Sequence, residues 1–263
     1  MGDDHAIVQA AGVSYGRGTR HISEDQGLIN YLMRHHHSTP FEMCGIKFHV
    51  KLPIFMARQC VRHRTANVNE YSARYSILDR EFYTPLPEQL AAQSGSNRQG
   101  RGALLEGEAT RHVLDLLRMD AERAYAGYTE MLNVDDSGNP RDPSWPELAR
   151  ELARMNLSLN FYTQWYWKID LHNLMHFLTL RANSHAQYEI RAHAEVTLNC
   201  MQRWVRIAYA AYVEHRMNAA SISASGLAVI RRMLAGERID QQGSGLNSRE
   251  WRELMDVLYP NTR

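Results

Sequence analysis

Cysteine is scarce in this chain. Cys44, Cys60 and Cys200 are the only 3, and they lie far apart. An odd, widely spaced set excludes a disulfide framework and a Cys-based zinc site. It fits a reducing compartment, so a cytoplasmic location is expected. An excess of one charge is lacking too. Lys and Arg total 30 against 29 Asp and Glu, for a formal charge of +1. A general nucleic-acid binder carries a basic excess, so nucleic acid is not an expected partner. No apolar run reaches the about 18 residues that a membrane span needs, so no membrane partner is expected either. The polar start Met1-Gly2-Asp3-Asp4-His5 contains no apolar leader segment. No internal repeat and no long linker interrupts the 263 residues, which predicts a single domain over 1–263.

What is present is a mixture of periodicities. Leu28, Tyr31 and Leu32 share one side of a helix predicted over 24–35. Ile46, Phe48 and Val50 alternate with Lys47, His49 and Lys51 in a strand predicted over 43–51. Pro53 suits the first turn of a helix carrying Phe55, Met56 and Val61. The Gln, Ser, Gly, Asn and Arg of 91–102 read as loop. Leu117, Ala121, Ala124, Tyr125, Tyr128, Met131 and Leu132 form the stripe of a long helix over 103–132. A short helix is expected over 145–155 and an extended aromatic segment over 158–168. Asp170 is a candidate N-cap for a helix through Leu180. A further helix is expected over 186–215, and two short helical patterns in the tail flank Gly243-Ser244-Gly245. Long helices, few strands and no regular crossovers point to an α+β fold, a mixed sheet flanked by long helices.

The segment from Arg62 to Tyr75 carries the most chemistry. It places Arg62, His63, Arg64, Glu70, Ser72 and Arg74 within one short stretch. Buried charge is costly unless paired, and Glu70 is the one carboxylate at hand. Arginine offers a planar fork that grips phosphate or carboxylate with two bonds. The segment therefore reads as an anion-binding loop suited to a phosphorylated ligand. A solvated basic strip is the competing reading. Ser72 lacks an adjacent general base, so a hydroxyl bonded to phosphate is a simpler role than a nucleophile.

Two histidine groups stand out. His35, His36 and His37 are adjacent, followed by Ser38-Thr39-Pro40-Phe41-Glu42. Adjacent histidines make poor tetrahedral ligands, and they suit a helix end running into a turn. His172 and His176 lie four apart on one helix face, but Asn173 stands where the zinc motif HExxH has Glu. No metal site is expected. Arg181 ends that helix, where a cation is favourable in itself. Ser184 and Gln187 have the spacing of a capping box for the next helix.

These segments resemble the flavin-dependent thymidylate synthases. The family signature RHR-x-x-S-x-N-E-x-S-x-R-Y is matched from Arg62 to Tyr75 except at Asn67, where the pattern has Ser. His37-x-Thr39-Pro40-Phe41-Glu42 resembles a second block, with Met43 where many relatives have His. Leu-x-Leu-Arg ending at Arg181, followed by Ser184-His185-Ala186-Gln187-x-Glu189-Ile190-Arg191, resembles a third. Val13-Ser14-Tyr15 resembles a fourth, with Gly12 where Arg is usual. The matches extend from about residue 10 to residue 191.

The resemblance implies conversion of dUMP to dTMP. The carbon donor is 5,10-methylenetetrahydrofolate, and FAD reduced by NADPH supplies the hydride. It assigns Gln59, Arg62, Glu70, Ser72, Ala73, Arg74, Arg154 and Arg181 to dUMP, with Arg181 activating the uracil. It assigns Ser14, Thr39, Glu42, Arg62, His63, Arg64, Glu70, Asp170, His172 and His176 to FAD. His37 and Tyr75 are folate-site candidates, and the expected assembly is a homotetramer with shared sites. Two readings compete: a metal-dependent hydrolase or deaminase built on the histidine clusters, and a nucleotide-binding regulator without turnover.

Overall fold

The computed structural model describes residues 1–13, 22–95, 100–135 and 137–260. The chain contacts group into two compact units, Met1–Tyr209 and Ala210–Arg263. The first unit begins with α1 (Asp4–Val13), α2 (Ile22–Arg34), the single turn α3 (Thr39–Glu42), β1 (Gly45–Pro53), α4 (Ile54–Cys60) and β2 (Asn67–Glu70). It continues with β3 (Ala91–Gln93), β4 (Arg101–Leu104), α5 (Gly107–Met131), α6 (Arg150–Ala153), β5 (Tyr162–Asp170), α7 (Leu171–Arg181) and α8 (Tyr188–Trp204). The unit ends within α9 (Arg206–Tyr212). The second unit holds α10 (Ala224–Leu234), the single turn α11 (Gln241–Ser244) and α12 (Ser248–Leu258). No helix among the described residues is long and apolar enough to cross a membrane.

The α+β class holds, but the sheet is antiparallel rather than mixed among the described residues. The strand order is β1-β5-β2, so β5 lies between the other two and runs against both. β1 and β2 share a direction without pairing. The alternation of β5 is complete. Thr163, Trp165, Trp167 and Ile169 are buried, while Tyr166 and Lys168 face out. The Trp167 ring meets Phe177 of α7 edge-on at 5.0 Å. Full burial of such a side chain contributes about 1.5–3 kcal/mol. This packing seats α7 on the apolar sheet face.

Asp170 caps α7 as its sequence position predicts. Its Oδ1 accepts the Asn173 N–H at 2.9 Å and its Oδ2 accepts Asn173 Nδ2 at 2.7 Å. That satisfies one of the donors a helix start leaves unpaired. α5 starts at Gly107 rather than at the predicted 103, because Arg101–Leu104 pair with Ala91–Gln93. The predicted 145–155 helix shrinks to α6. Asn133, at φ 52, binds the carbonyls of Asp142 and Trp145 through Nδ2, and Pro146 has no N–H to give a helix. The predicted 186–215 helix is broken at Val205. There the Asp4 carboxylate accepts the N–H groups of Ile207 and Ala208 at 3.0 and 2.8 Å and opens α9. No capping box forms at Ser184. Gln187 occupies the N-cap position of α8 without a side-chain cap bond.

Candidate functional site

The Arg-rich segment leaves α4 through a turn at Val61 and Arg62 and becomes the edge strand β2. Ordinary apolar patterning is absent there. All four residues of β2 are exposed. Arg62, Arg64, Arg74 and Arg154 are exposed as well, and none makes an ion pair with the described residues. Unpaired forks on a surface are available to an anionic ligand.

His63 points the other way, into the protein. Its ring packs edge-on against Phe177 at 4.9 Å and lies 5.8 Å from the His176 ring. Arg181 Nε donates to His63 Nε2 at 3.2 Å. Burial, then the Arg181 and His176 charges, hold the imidazole down at about 4. The ring is therefore neutral at neutral pH and can accept from the guanidinium, with its proton left on Nδ1. The fold brings two sequence-distant segments together here through the stack Trp167, Phe177 and His63. Cys60 lies close enough for the Arg181 charge to favour its thiolate, but burial dominates and pushes the thiol up to about 12. A thiol that resists ionisation is a poor nucleophile.

The remaining candidates fall into separate groups. Glu70 accepts the Thr163 hydroxyl at 2.6 Å, which ties β2 to β5. The Ser72 hydroxyl accepts the Arg74 N–H at 3.3 Å. The Arg74 guanidinium lies over the Tyr75 ring, 5.6 Å from its centre, and Ala73 is buried. Arg154 sits in the turn after α6 and reaches the Glu151 carbonyl at 3.3 Å. His37 and Thr39 line a cavity of about 600 Å³ with Leu28, Tyr31, Leu32 and Met43. Glu42 is exposed at the end of α3. His172 is half-buried and His176 exposed on α7. The Asp170 carboxylate is engaged as the α7 cap. Ser14 lies outside the described residues. No hydrogen bond or ion pair among the described residues joins Arg74 or Arg154 to His63 or Arg181.

A further network escapes the sequence patterns. Arg101 Nη2 donates to both Glu189 oxygens at 2.7 and 2.8 Å. The Tyr83 hydroxyl donates to Glu189 at 3.2 Å, and Gln187 Nε2 donates at 2.9 Å. Gln187 Oε1 in turn accepts from Gln59 Nε2 at 2.6 Å. Burial raises the Glu189 pKa, but the Arg101 and Gln187 bonds outweigh it and hold the carboxyl below its ordinary value. Arg150 is a second residue without a sequence signal. Its guanidinium fixes the Tyr75 carbonyl at 2.9 Å.

No three His, Cys, Asp or Glu side chains converge as metal ligands among the described residues. The histidine-based hydrolase or deaminase gains no support.

The geometry defines an α+β protein in which two exposed arginines flank, along the chain, an inward-turned neutral histidine bonded to a helix-terminal arginine. Comparison with known proteins makes this class specific. Residues 1–205 match the family model described as thymidylate synthase complementing protein. A flavin-dependent thymidylate synthase of Gluconobacter oxydans is 61% identical over 258 residues, covering 98% of this chain and 82% of that one. One from Rickettsia bellii is 58% identical over 259 residues, covering 98% and 88%. Among solved structures, the UMP/dUMP methylase PolB of Streptomyces cacaoi, bound with 5-Br UMP, aligns with a TM-score of 0.70 at 32% identity, covering 83% of this chain and 92% of that one. The chain belongs to the flavin-dependent thymidylate synthase family.

Proposed function

We infer that this protein methylates dUMP to dTMP, with 5,10-methylenetetrahydrofolate as carbon donor and NADPH as reductant. FAD, when bound, supplies the hydride. The observation that carries the reading is the Arg181–His63 contact, which joins the Arg-rich segment to the end of α7. Two related solved structures, PolB with 5-Br dUMP and with 5-Br UMP, support a uracil nucleotide as ligand.

The donor set suits both ligands. Arg62 and Arg64 are exposed forks without ion pairs that match the pyrophosphate of FAD, and His63 is assigned to the same cofactor. Thr39, Glu42, His172 and His176 are assigned to the same cofactor, with Glu70 shared. Asp170 serves it through the α7 start. Arg74, Ser72, Ala73 and Arg154 hold the nucleotide phosphate and sugar, and Gln59 completes that set. His37 and Tyr75 are assigned to the folate.

Arg181 is the catalytic residue. C5 of uracil becomes more nucleophilic when negative charge develops on a ring carbonyl oxygen and N3. A guanidinium fixed beside that ring stabilises the charge without reorganising during reaction. His63 holds Nε, which leaves the terminal guanidinium nitrogens for the uracil. No cysteine takes part. Membership of this family supports a homotetramer with sites shared between chains. The three free thiols support work in the reducing cytoplasm.

The test is the absorption spectrum of the purified protein, with dTMP formation measured on the same sample. Bound flavin that NADPH reduces in the presence of dUMP supports the reading. A protein that binds dUMP yet never holds flavin overturns it.

A further inference from the structure

We propose that Glu189 is a positioning residue that, through Gln187, fixes which end of the Gln59 amide meets the nucleotide. The proposal rests on the reading that Gln59 touches dUMP. The argument starts from what an ionised carboxylate can do. It only accepts hydrogen bonds. The Glu189 side chain is 9% exposed and takes four bonds, two from Arg101, one from Tyr83 and one from Gln187. Gln187 must therefore turn its NH2 toward Glu189, which leaves its carbonyl oxygen facing Gln59. At 2.6 Å that oxygen takes one N–H of Gln59.

The direction of the whole chain is thus set at its buried end. Gln59 is left with its Oε1 and one N–H for a ligand. Such a pair matches a group that both donates and accepts, as a uracil edge or a sugar hydroxyl does. A phosphate dianion cannot donate to Oε1. Without the charge on Glu189, the amide of Gln187 can turn over, and Gln59 can then present the wrong atoms. Arg101 and Tyr83 act one step further back. They hold the carboxylate ionised and fixed, and Arg101 is itself anchored by the Gln89 carbonyl at 3.0 Å.

The test is a double-mutant cycle on the flavin-loaded protein, read as the dissociation constant for dUMP. Glu189→Gln keeps the shape and removes the charge. Alone it should weaken dUMP about 3- to 10-fold, the value of one misdirected hydrogen bond. In a Gln59→Ala background it should add nothing, because the group it orients is gone. Gln187→Leu cuts the chain at an exposed residue, leaves the Arg101–Glu189 pair in place, and should reproduce the loss if Glu189→Gln does not fold. Equal weakening in both backgrounds would overturn the relay, since it would show a general structural effect. So would normal dUMP affinity in both Glu189→Gln and Gln187→Leu. If Gln59→Ala alone leaves affinity unchanged, the reading of Gln59 fails instead, and the two failures are distinguishable.

Discussion

Replacing Arg181 with alanine separates catalysis from structure. Arg181 has two structural attachments, its place at the α7 C-terminus and its bond to His63. A cation at an exposed helix end contributes about 0.3–1 kcal/mol. A single hydrogen bond contributes about 0.5–1.5 kcal/mol. The variant should therefore melt only a few degrees earlier and keep its flavin. Loss of one preorganised donor to a developing anion costs about 10²–10³ in rate. Turnover should consequently fall far more than stability does. Arg181→Lys keeps the charge without the fork and should stay poor. A second signature comes from His63. The Arg181 charge is one of the causes holding its imidazole down, so Arg181→Ala should let that pKa rise. The assay is single-turnover dTMP formation, with flavin occupancy, melting and the His63 ring titration followed by NMR on the same variant. Near-normal turnover with an earlier melt would refute the catalytic role and leave Arg181 as a helix cap.

Other outcomes follow from the same contacts. Changing Cys44, Cys60 and Cys200 together to Ala or Ser should leave dTMP formation intact, because burial pushes the Cys44 and Cys60 thiols up to about 11 and about 12; a folded, flavin-loaded triple variant without turnover would contradict this. Mixing inactive Arg74→Ala and Arg181→Ala proteins under subunit exchange should restore part of the activity, and no recovery despite proven exchange would count against shared sites. The ligand-free protein should lose stability as pH falls from about 6.5 toward about 4, because unfolded His63 takes a proton at a higher pH than folded His63 does; thermal melts of the parent and of His63→Asn across that window should diverge, and parallel curves would sink the assignment. Asp170→Ala removes the α7 cap and should lower unfolding stability by about 0.5–2 kcal/mol, measured by denaturant titration.

Much of the site could be read from residue order because its parts are local. The run from Arg62 to Tyr75 declares itself by charge that no core could hold. Asp170 announces α7, and the alternation into Trp165 and Trp167 announces β5. What escaped depends on partners far apart in the chain. Glu189 stands in a matched block without an assigned role and Arg101 reads as loop, yet they meet across 88 positions. Asp4 opens α9 from the other end of its unit, so nothing near Val205 marks the break. β3 and β4 are too short to show alternation, and their pairing delays α5. The antiparallel sheet follows from β5 lying between β1 and β2, an ordering that strand patterns do not encode.

The most direct measurement is the fate of the folate. Incubate the flavin-loaded protein with dUMP, 5,10-methylenetetrahydrofolate and NADPH, and quantify dTMP together with the folate product. If the hydride comes from NADPH by way of bound flavin, the folate gives up its methylene without being oxidised. The account predicts dTMP and tetrahydrofolate in equal amounts, formed only when flavin and NADPH are both present. Equal amounts of dTMP and dihydrofolate, formed without NADPH, would contradict it.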